Sequence, residues 1–588
     1  MARTSGALRQ QTVANTLATG VQASCLALCL ALSFSAQAAE AGAPPAGAVP
    51  TIDELRPAPA VVKEGPAAVV PEQPVARELG KPSDDVTLNV KAYAVADTAP
   101  QALRDALPAL TAAFVGEGRS YEDMANAAQA VTRYLQRDLG YYLGYAYLPE
   151  QAPQDGVVQI AVLEGRLDEV ILNWRDDIRV DKEVVEAHLA RLRSGDVLRV
   201  KDVERVIFLL NDLRGLSARF EVKQGRKPGT ASLVVTPTPE AQVSGRAEFD
   251  VNGSRFSGLY RLSASANIAS PLKRGDGVIL SGQTTTTGGL MFLLAGYTLP
   301  IGADGFKAGL SLSKVTYKLS DEVPLSLNGD ATALSAYALY PFIRSRNLNL
   351  FVQASVERRD FSDRKGDLGS TADATKRVYE ARGGIAGDFR DNWLLGGVST
   401  YEIAANLSQV TYLKNGPALS LLDPAIRGRV NLGFSRLNNL ISNRLLAYVN
   451  ITAQRAWRNL DTTEQFGIGG PGRVRAYAPG EGTGDQGEVV SLELRLLPPA
   501  AWLGRYAREV VFSTFYDWGH VQFKYDTSRQ PLGFAESATY SGYGLGVTWE
   551  RPQQFGARMS VAWPLQGDPQ NDTVKRSPRV YATVTKSF

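Results

Sequence analysis

The sequence predicts an exported transmembrane β-barrel of about 16 antiparallel strands, preceded by two small α+β units. Three observations carry this prediction. The chain opens on a charged, then apolar, then small-residue segment of the kind that directs export. Residues 86–239 pass twice through the same order of strand and helix periods. From about residue 240 to residue 588 the helical period gives way to strict alternation of apolar and polar side chains.

The leading segment has Arg3 and Arg9, an apolar run over 17–34, and Ala36-Gln37-Ala38 as an A-x-A cleavage site. A membrane anchor would need a charged stop-transfer flank, and a lipoprotein would need a Leu-led lipobox before Cys25 or Cys29; neither is present. Residues 1–38 therefore read as a signal peptide whose removal takes both cysteines with it. Beyond it, the most apolar uncharged stretch, 277–303, is broken by a threonine run, paired glycines and Pro300. It reads as two strands, 278–284 and 290–299. A membrane protein without spanning helices has to be a closed barrel, because lipid offers the backbone no hydrogen-bond partners.

Composition removes most chemistries. The 63 Lys and Arg against 60 Asp and Glu leave a net charge of +3, no reason to expect a nucleic-acid partner. The two cysteines and two histidines (His188, His520) are too few for a zinc site, a Cys–His nucleophile or a disulfide framework. There is no G-x-S-x-G elbow and no Walker A pattern. The expectation is no enzyme, no catalytic residue, no metal and no cofactor, with both histidines structural.

Residues 39–85 are rich in Pro and Ala, with no proline-free run longer than the seven residues 75–81, and read as an extended linker. The first α+β unit, 86–166, is expected to hold a strand at 86–95, helices at 102–114 and 121–139, and strands at 142–148 and 157–163. Ser120 stands as the N-cap of the second helix. The second unit, 167–239, repeats the order with a strand at 167–173, helices at 182–192 and 200–213, and strands at 217–222 and 232–235.

In the barrel region, 240–588, Leu262, Ala264, Ala266 and Ile268 share one face, opposite Arg261, Ser263, Ser265 and Asn267. Leu348, Leu350, Val352, Ala354 and Val356 oppose Asn349, Gln353, Ser355 and Glu357 in the same way. Val490, Leu492, Leu494 and Leu496 oppose Ser491, Glu493 and Arg495, and Val510, Phe512, Tyr516 and Trp518 oppose Ser513, Phe515 and Asp517. A soluble sandwich alternates too, but the export segment, the number of strands, Trp549, Trp563, Tyr581 and the terminal Phe588 favour a membrane barrel.

Three segments, in this order, resemble the two-partner secretion transporters (the TpsB family, of the FhaC and ShlB kind, in the superfamily that includes BamA). Residues 209–215 (Leu-Leu-Asn-Asp-Leu-Arg-Gly) with 227–233 (Lys-Pro-Gly-Thr-Ala-Ser-Leu) resemble a helix end and P-G-x-S-x-L pattern of that family. Gly470-Pro471-Gly472-Arg473-Val474-Arg475-Ala476-Tyr477 resembles the VRGY tip of a loop that folds back into the barrel, with Ala476 in place of the usual Gly. Phe515-Tyr516-Asp517-Trp518-Gly519 resembles the F-x-D-x-G motif of a late barrel strand.

The resemblance implies that the two units are POTRA domains in the periplasm and that the barrel sits in the outer membrane of a Gram-negative bacterium. It implies a partner: a large secreted protein, adhesin- or haemolysin-like, whose N-terminal secretion domain is recognised by the POTRA units. Outer-membrane lipid surrounds the barrel, and Phe588 is its C-terminal signal to the assembly machinery. Arg475, Tyr477 and Asp517 would lock the inward loop, supported by Val474, Phe515 and Gly519. Independently of the family, Asp517 is expected to face the lumen, where a carboxylate wants a cation that Arg475 can supply. The family also carries a helical plug before its first POTRA unit; the prolines of 39–85 leave it short, irregular or missing. The alternative is a BamA- or TamA-like insertase, against which two POTRA units rather than three or more argue. A simple porin would leave 86–239 without a purpose.

Overall fold

The computed structural model describes residues 87–588 except 152, 154, 228, 320–325, 368–369, 415–425, 442–443, 530–534, 571 and 573–575. The signal segment and the linker with its plug question lie outside the described residues.

The first α+β unit is built on helices α1 (Gln101–Thr111) and α2 (Tyr121–Arg137). Ser120 caps α2 through a reciprocal pair: its Oγ accepts the Asp123 N–H at 3.2 Å, and Asp123 accepts the Ser120 N–H at 3.0 Å. Met124, Ala127, Ala128, Val131 and Leu135 recur at three- and four-residue spacing and are buried against Leu103 and Leu107 of α1. The strand expected over 86–95 is two. Thr87–Val90 pairs antiparallel with Gly116–Ser120, a strand the sequence reading did not anticipate, and Ala92–Ala94 pairs parallel with Val157–Gln159. The break falls where the Lys91 and Ala92 N–H groups both turn to the Gly156 carbonyl, which exhausts the local ladder. The strand expected over 157–163 likewise divides at Ile160, whose N–H donates to Ala94, leaving Ala161–Leu163 to pair with Tyr145–Tyr147.

The second unit has helices α3 (Lys182–Leu189) and α4 (Val200–Asn211) on a three-stranded sheet. Its central strand, Thr230–Pro239, runs parallel to Arg166–Leu172 and antiparallel to Leu216–Gln224. Val185, Leu189, Val203, Val206, Ile207 and Leu210 meet Leu233 and Val235 in one core.

Residues from Val243 onward close a barrel of sixteen strands, each antiparallel to its neighbours. The first, Val243–Asp250, pairs with the last, Arg579–Ser587, and Phe588 exchanges both backbone hydrogen bonds with Gly245 at 3.0 Å. The alternation sorts as the pleat requires: Leu262 (53% exposed), Val356 (59%) and Leu494 (46%) face outward, whereas Asn349, Ser491 and Asp517 are buried inside. Large apolar side chains this open on strand after strand form the outward apolar band of a membrane barrel, and the described residues contain no helix long and apolar enough to span a membrane. The sixth to ninth strands run 18 to 22 residues, beyond the ~9–11 that cross a bilayer. Their surplus therefore projects from the membrane on the side away from the α+β units.

The second unit docks on the opposite, periplasmic rim. Arg344 at the end of the sixth strand bonds both oxygens of Asp212, at 2.9 and 2.8 Å, and lies over the Phe208 ring. Arg205 donates to the Pro341 and Phe342 carbonyls, and Lys307 to the Asp212 carbonyl at 3.1 Å. A Cβ on Gly275 would strike Leu213 at 2.7 Å, so only glycine lets the α4 end seat in that turn. The motif at 209–215 thus lies in the surface that the second unit lays against the barrel, beside Arg205 and Phe208.

Candidate functional site

The residues between the eleventh strand (Leu445–Ala456) and the twelfth (Gln486–Leu496) do not extend away from the barrel; they turn back into it. Phe466–Gly467 pairs with Thr483–Gly484 to make the loop a narrow hairpin. The Val474 N–H closes on the Ile468 carbonyl at 2.9 Å, and the Tyr477 N–H on that of Val474 at 3.1 Å. Phe466, Ile468 and Val474 are buried against Val489, Phe515, Val521 and Tyr540 of the wall. Apolar contact thus gives the loop a fixed seat, and its polar groups aim from there.

Arg475 is the centre of that seat. Its backbone N–H and its Nε both donate to Asp517 Oδ2, at 3.1 and 2.8 Å, and Nη2 donates to Oδ1 at 2.7 Å. Nη1 reaches Glu493 Oε1 on the neighbouring strand at 2.7 Å, and Glu493 in turn accepts from Arg495. The guanidinium carbon stands 3.4 Å from the Phe515 ring centroid, so the planar cation is held by two carboxylates and one π face. Lysine has neither the fork nor the plane for this arrangement. Asp517 is 0% exposed.

Tyr477 fixes the other flank. Its hydroxyl lies 2.6 and 2.8 Å from the carbonyls of Gln566 and Gly567, and its ring stacks on Tyr540 with centroids 4.2 Å apart. The Tyr581 hydroxyl on the last strand donates to the Tyr477 carbonyl at 2.7 Å. Gly519 gives Val474 its room, since a Cβ there would lie 3.0 Å from Val474 Cγ2. Ala476 has an ordinary negative φ, so the residue that replaces the family's glycine is unstrained; its methyl rests against Gly542. Phe588 lies apart from this site, at the barrel seam, with its side chain 69% exposed.

Arg475, Tyr477, Asp517, Val474, Phe515 and Gly519 therefore meet in one place. From the sequence, Glu493 and Arg495 stand only on the polar face of their strand and Tyr581 only among the barrel aromatics; none of them, nor Tyr540, was expected in this site. The Glu493/Arg495 pair is legible as two polar residues two apart on the lumenal face of one strand. Tyr540 carries no such signal, because an aromatic in an alternating strand reads equally as lipid-facing. Arg473 is buried over Phe466, not part of a solvated cluster.

A closed membrane barrel with its own α+β units on the periplasmic rim, and a charged loop seated in its lumen, defines an outer-membrane transporter. Comparison with known proteins agrees. Residues 89–165 match the POTRA domain, ShlB-type, and residues 243–588 match the Omp85 superfamily domain. The chain belongs to the Omp85 superfamily, in the two-partner secretion group, with its barrel in the outer membrane and its POTRA domain in the periplasm. It is 22% identical over 477 residues to the heme/hemopexin transporter protein HuxB of Haemophilus influenzae, spanning 80% of this chain and 82% of that one. It is 23% identical over 471 residues to the outer membrane transporter CdiB of Dickeya dadantii, spanning 78% and 79%. Among solved structures, CdiB from Escherichia coli superposes with a TM-score of 0.65 at 19% identity, covering 88% of this chain and 94% of that one, a likeness of fold.

Proposed function

We propose that this chain exports one large adhesin- or haemolysin-like protein, captured as an extended segment at the POTRA units and passed unfolded through the barrel, with the Arg475 loop as the element that has to yield. The seat of Arg475 on Asp517 carries this reading: the loop is held in the lumen by apolar contact and charge, both reversible, and not as a strand of the wall. The three-stranded sheet of the second unit has two edges, Arg166–Leu172 and Leu216–Gln224, and an extended chain adds to such an edge by backbone hydrogen bonds. Folding of the cargo outside the cell supplies the direction, without nucleotide hydrolysis. Arg475 and Asp517 perform no chemistry; they set whether the lumen is filled.

The test is co-expression with a large secreted protein that carries an N-terminal secretion domain, followed by assay of the medium. Release of the partner that depends on this chain supports the reading. Insertion of unrelated barrel proteins that depends on it, with no partner released, would favour the insertase instead.

A further inference from the structure

The inward loop touches the wall in a second place that the secretion motifs do not include. Where the loop leaves the eleventh strand, Asp461 accepts from Lys376 Nζ at 2.7 Å and from the Tyr412 hydroxyl at 2.6 Å. The same carboxylate caps the short turn Thr462–Glu464, taking the Thr463 N–H at 3.0 Å and its hydroxyl at 2.7 Å. Glu464 at the end of that turn accepts from Arg429 Nη1 at 3.0 Å. The other Arg429 amine shares Glu380 with Arg359. Asp461 and Glu464 are both buried.

Lys376, Tyr412 and Arg429 belong to the eighth, ninth and tenth strands (Ser370–Asp391, Gly397–Lys414 and Arg427–Ile441), whereas Glu493 and Asp517 belong to the twelfth and thirteenth. The charges are reversed between the two places. The loop root brings carboxylates to cations on the wall, and the loop tip brings a cation to carboxylates on the wall. A strap with opposite charges at its two ends, each matched by the wall it meets, has one orientation and one register in the lumen.

We infer that Asp461 and Glu464, with Lys376 and Arg429 as their receivers, form a second and separate anchor of the inward loop. They are positioning residues: releasing Arg475 alone frees the tip, and the lumen clears only when the root is released as well. The inference deepens the export reading of the loop and rests on it only in giving the cleared lumen a purpose.

The test is ion conductance of the full chain in planar lipid bilayers of phosphatidylcholine in KCl, with no cargo present. Lys376→Met and Asp461→Asn each remove one partner of a buried pair in a wet lumen, and the fraction of time spent in the highest conductance level is expected to rise roughly tenfold. Lys376→Arg keeps the cation and is expected to behave as the wild type. Arg475→Ala combined with Lys376→Met is expected to open more often than either alone, because the anchors are distinct contacts. Every variant is first shown to migrate faster unheated than boiled, and one that fails to insert is replaced by Glu464→Gln. Wild-type conductance in correctly inserted Lys376→Met and Asp461→Asn would overturn the second anchor. Because cargo is absent, that result speaks against the anchor alone, while a wild-type chain that releases no partner speaks against the export reading alone.

Discussion

Arg344 in the barrel and Asp212 at the end of α4 form a buried two-pronged ion pair, so the second α+β unit is fastened to the periplasmic rim by charge as well as by packing. Removing one partner of such a pair leaves the other buried and costs about 3–5 kcal/mol. Asp212→Asn or Arg344→Met is therefore expected to speed protease cleavage near residue 240 in membranes while leaving the barrel heat-modifiable. Unchanged cleavage in both variants would show that the packing around Gly275 suffices.

The loop seat makes a steric prediction as well. A Cβ on Gly542 would lie 2.6 Å from the Ala476 Cβ. Gly542→Ala is expected to displace the loop at a cost of about 1–3 kcal/mol, the usual penalty for overpacking, and to raise trypsin cleavage at Arg473 and Arg475. Ala476→Gly in the same chain removes the contact with the loop, leaving the one with the Trp563 carbonyl at 2.9 Å, and is expected to restore protection in part. Equal cleavage in the single and double variants would contradict the seat described.

The two α+β units should be separable from barrel formation. All sixteen strands and the seam lie within residues 243–588, so a chain lacking 87–239 is expected to reach the outer membrane and migrate as a folded barrel. It is expected to release no partner protein. Export by the shortened chain would place cargo recognition in the barrel.

His188 gives the second unit a pH dependence. The ring is buried in α3 with Nδ1 2.8 Å from the Val184 carbonyl, and burial, aided by Arg191 and Lys307 nearby, pushes its pKa below the ordinary 6.5. A proton is then bound more readily in the unfolded unit than in the folded one. The contribution to stability is complete above pH ~6.5 and is lost as the pH falls below it. Amide protection factors in α3, taken relative to the base-catalysed intrinsic rate at each pH, should fall between pH 7.5 and 5.5, and His188→Gln should flatten that difference. Identical pH profiles for the two chains would contradict it.

Much of this was legible in the sequence, for physical reasons. Alternation reports a barrel because lipid outside and water inside impose opposite demands on successive side chains, as at 348–356 and 490–496. The Ser120 cap and the α2 stripe are local and could be read directly. The breaks at Lys91 and Ile160 could not, because they arise when a carbonyl far along the chain captures one N–H. The Arg475–Asp517 pair was legible because both ends sit in motifs and Asp517 falls on the lumenal parity of its strand. The Asp461 and Glu464 contacts were not: their partners lie 85 and 35 residues away in unremarkable strands, and only closure of the barrel brings them together.

Arg475 and Asp517 hold the loop through one shared contact. A double-mutant cycle on export, with Arg475→Ala, Asp517→Ala and both together, addresses it most directly. Arg475 also bonds Glu493, so Arg475→Ala is expected to lose somewhat more export than Asp517→Ala, with both proteins at near-normal levels in the membrane. The double variant is expected to be little worse than Arg475→Ala alone, because the contact is already gone. Full export by Arg475→Ala, or losses that multiply in the double variant, would mean that the two residues do not act as one lock.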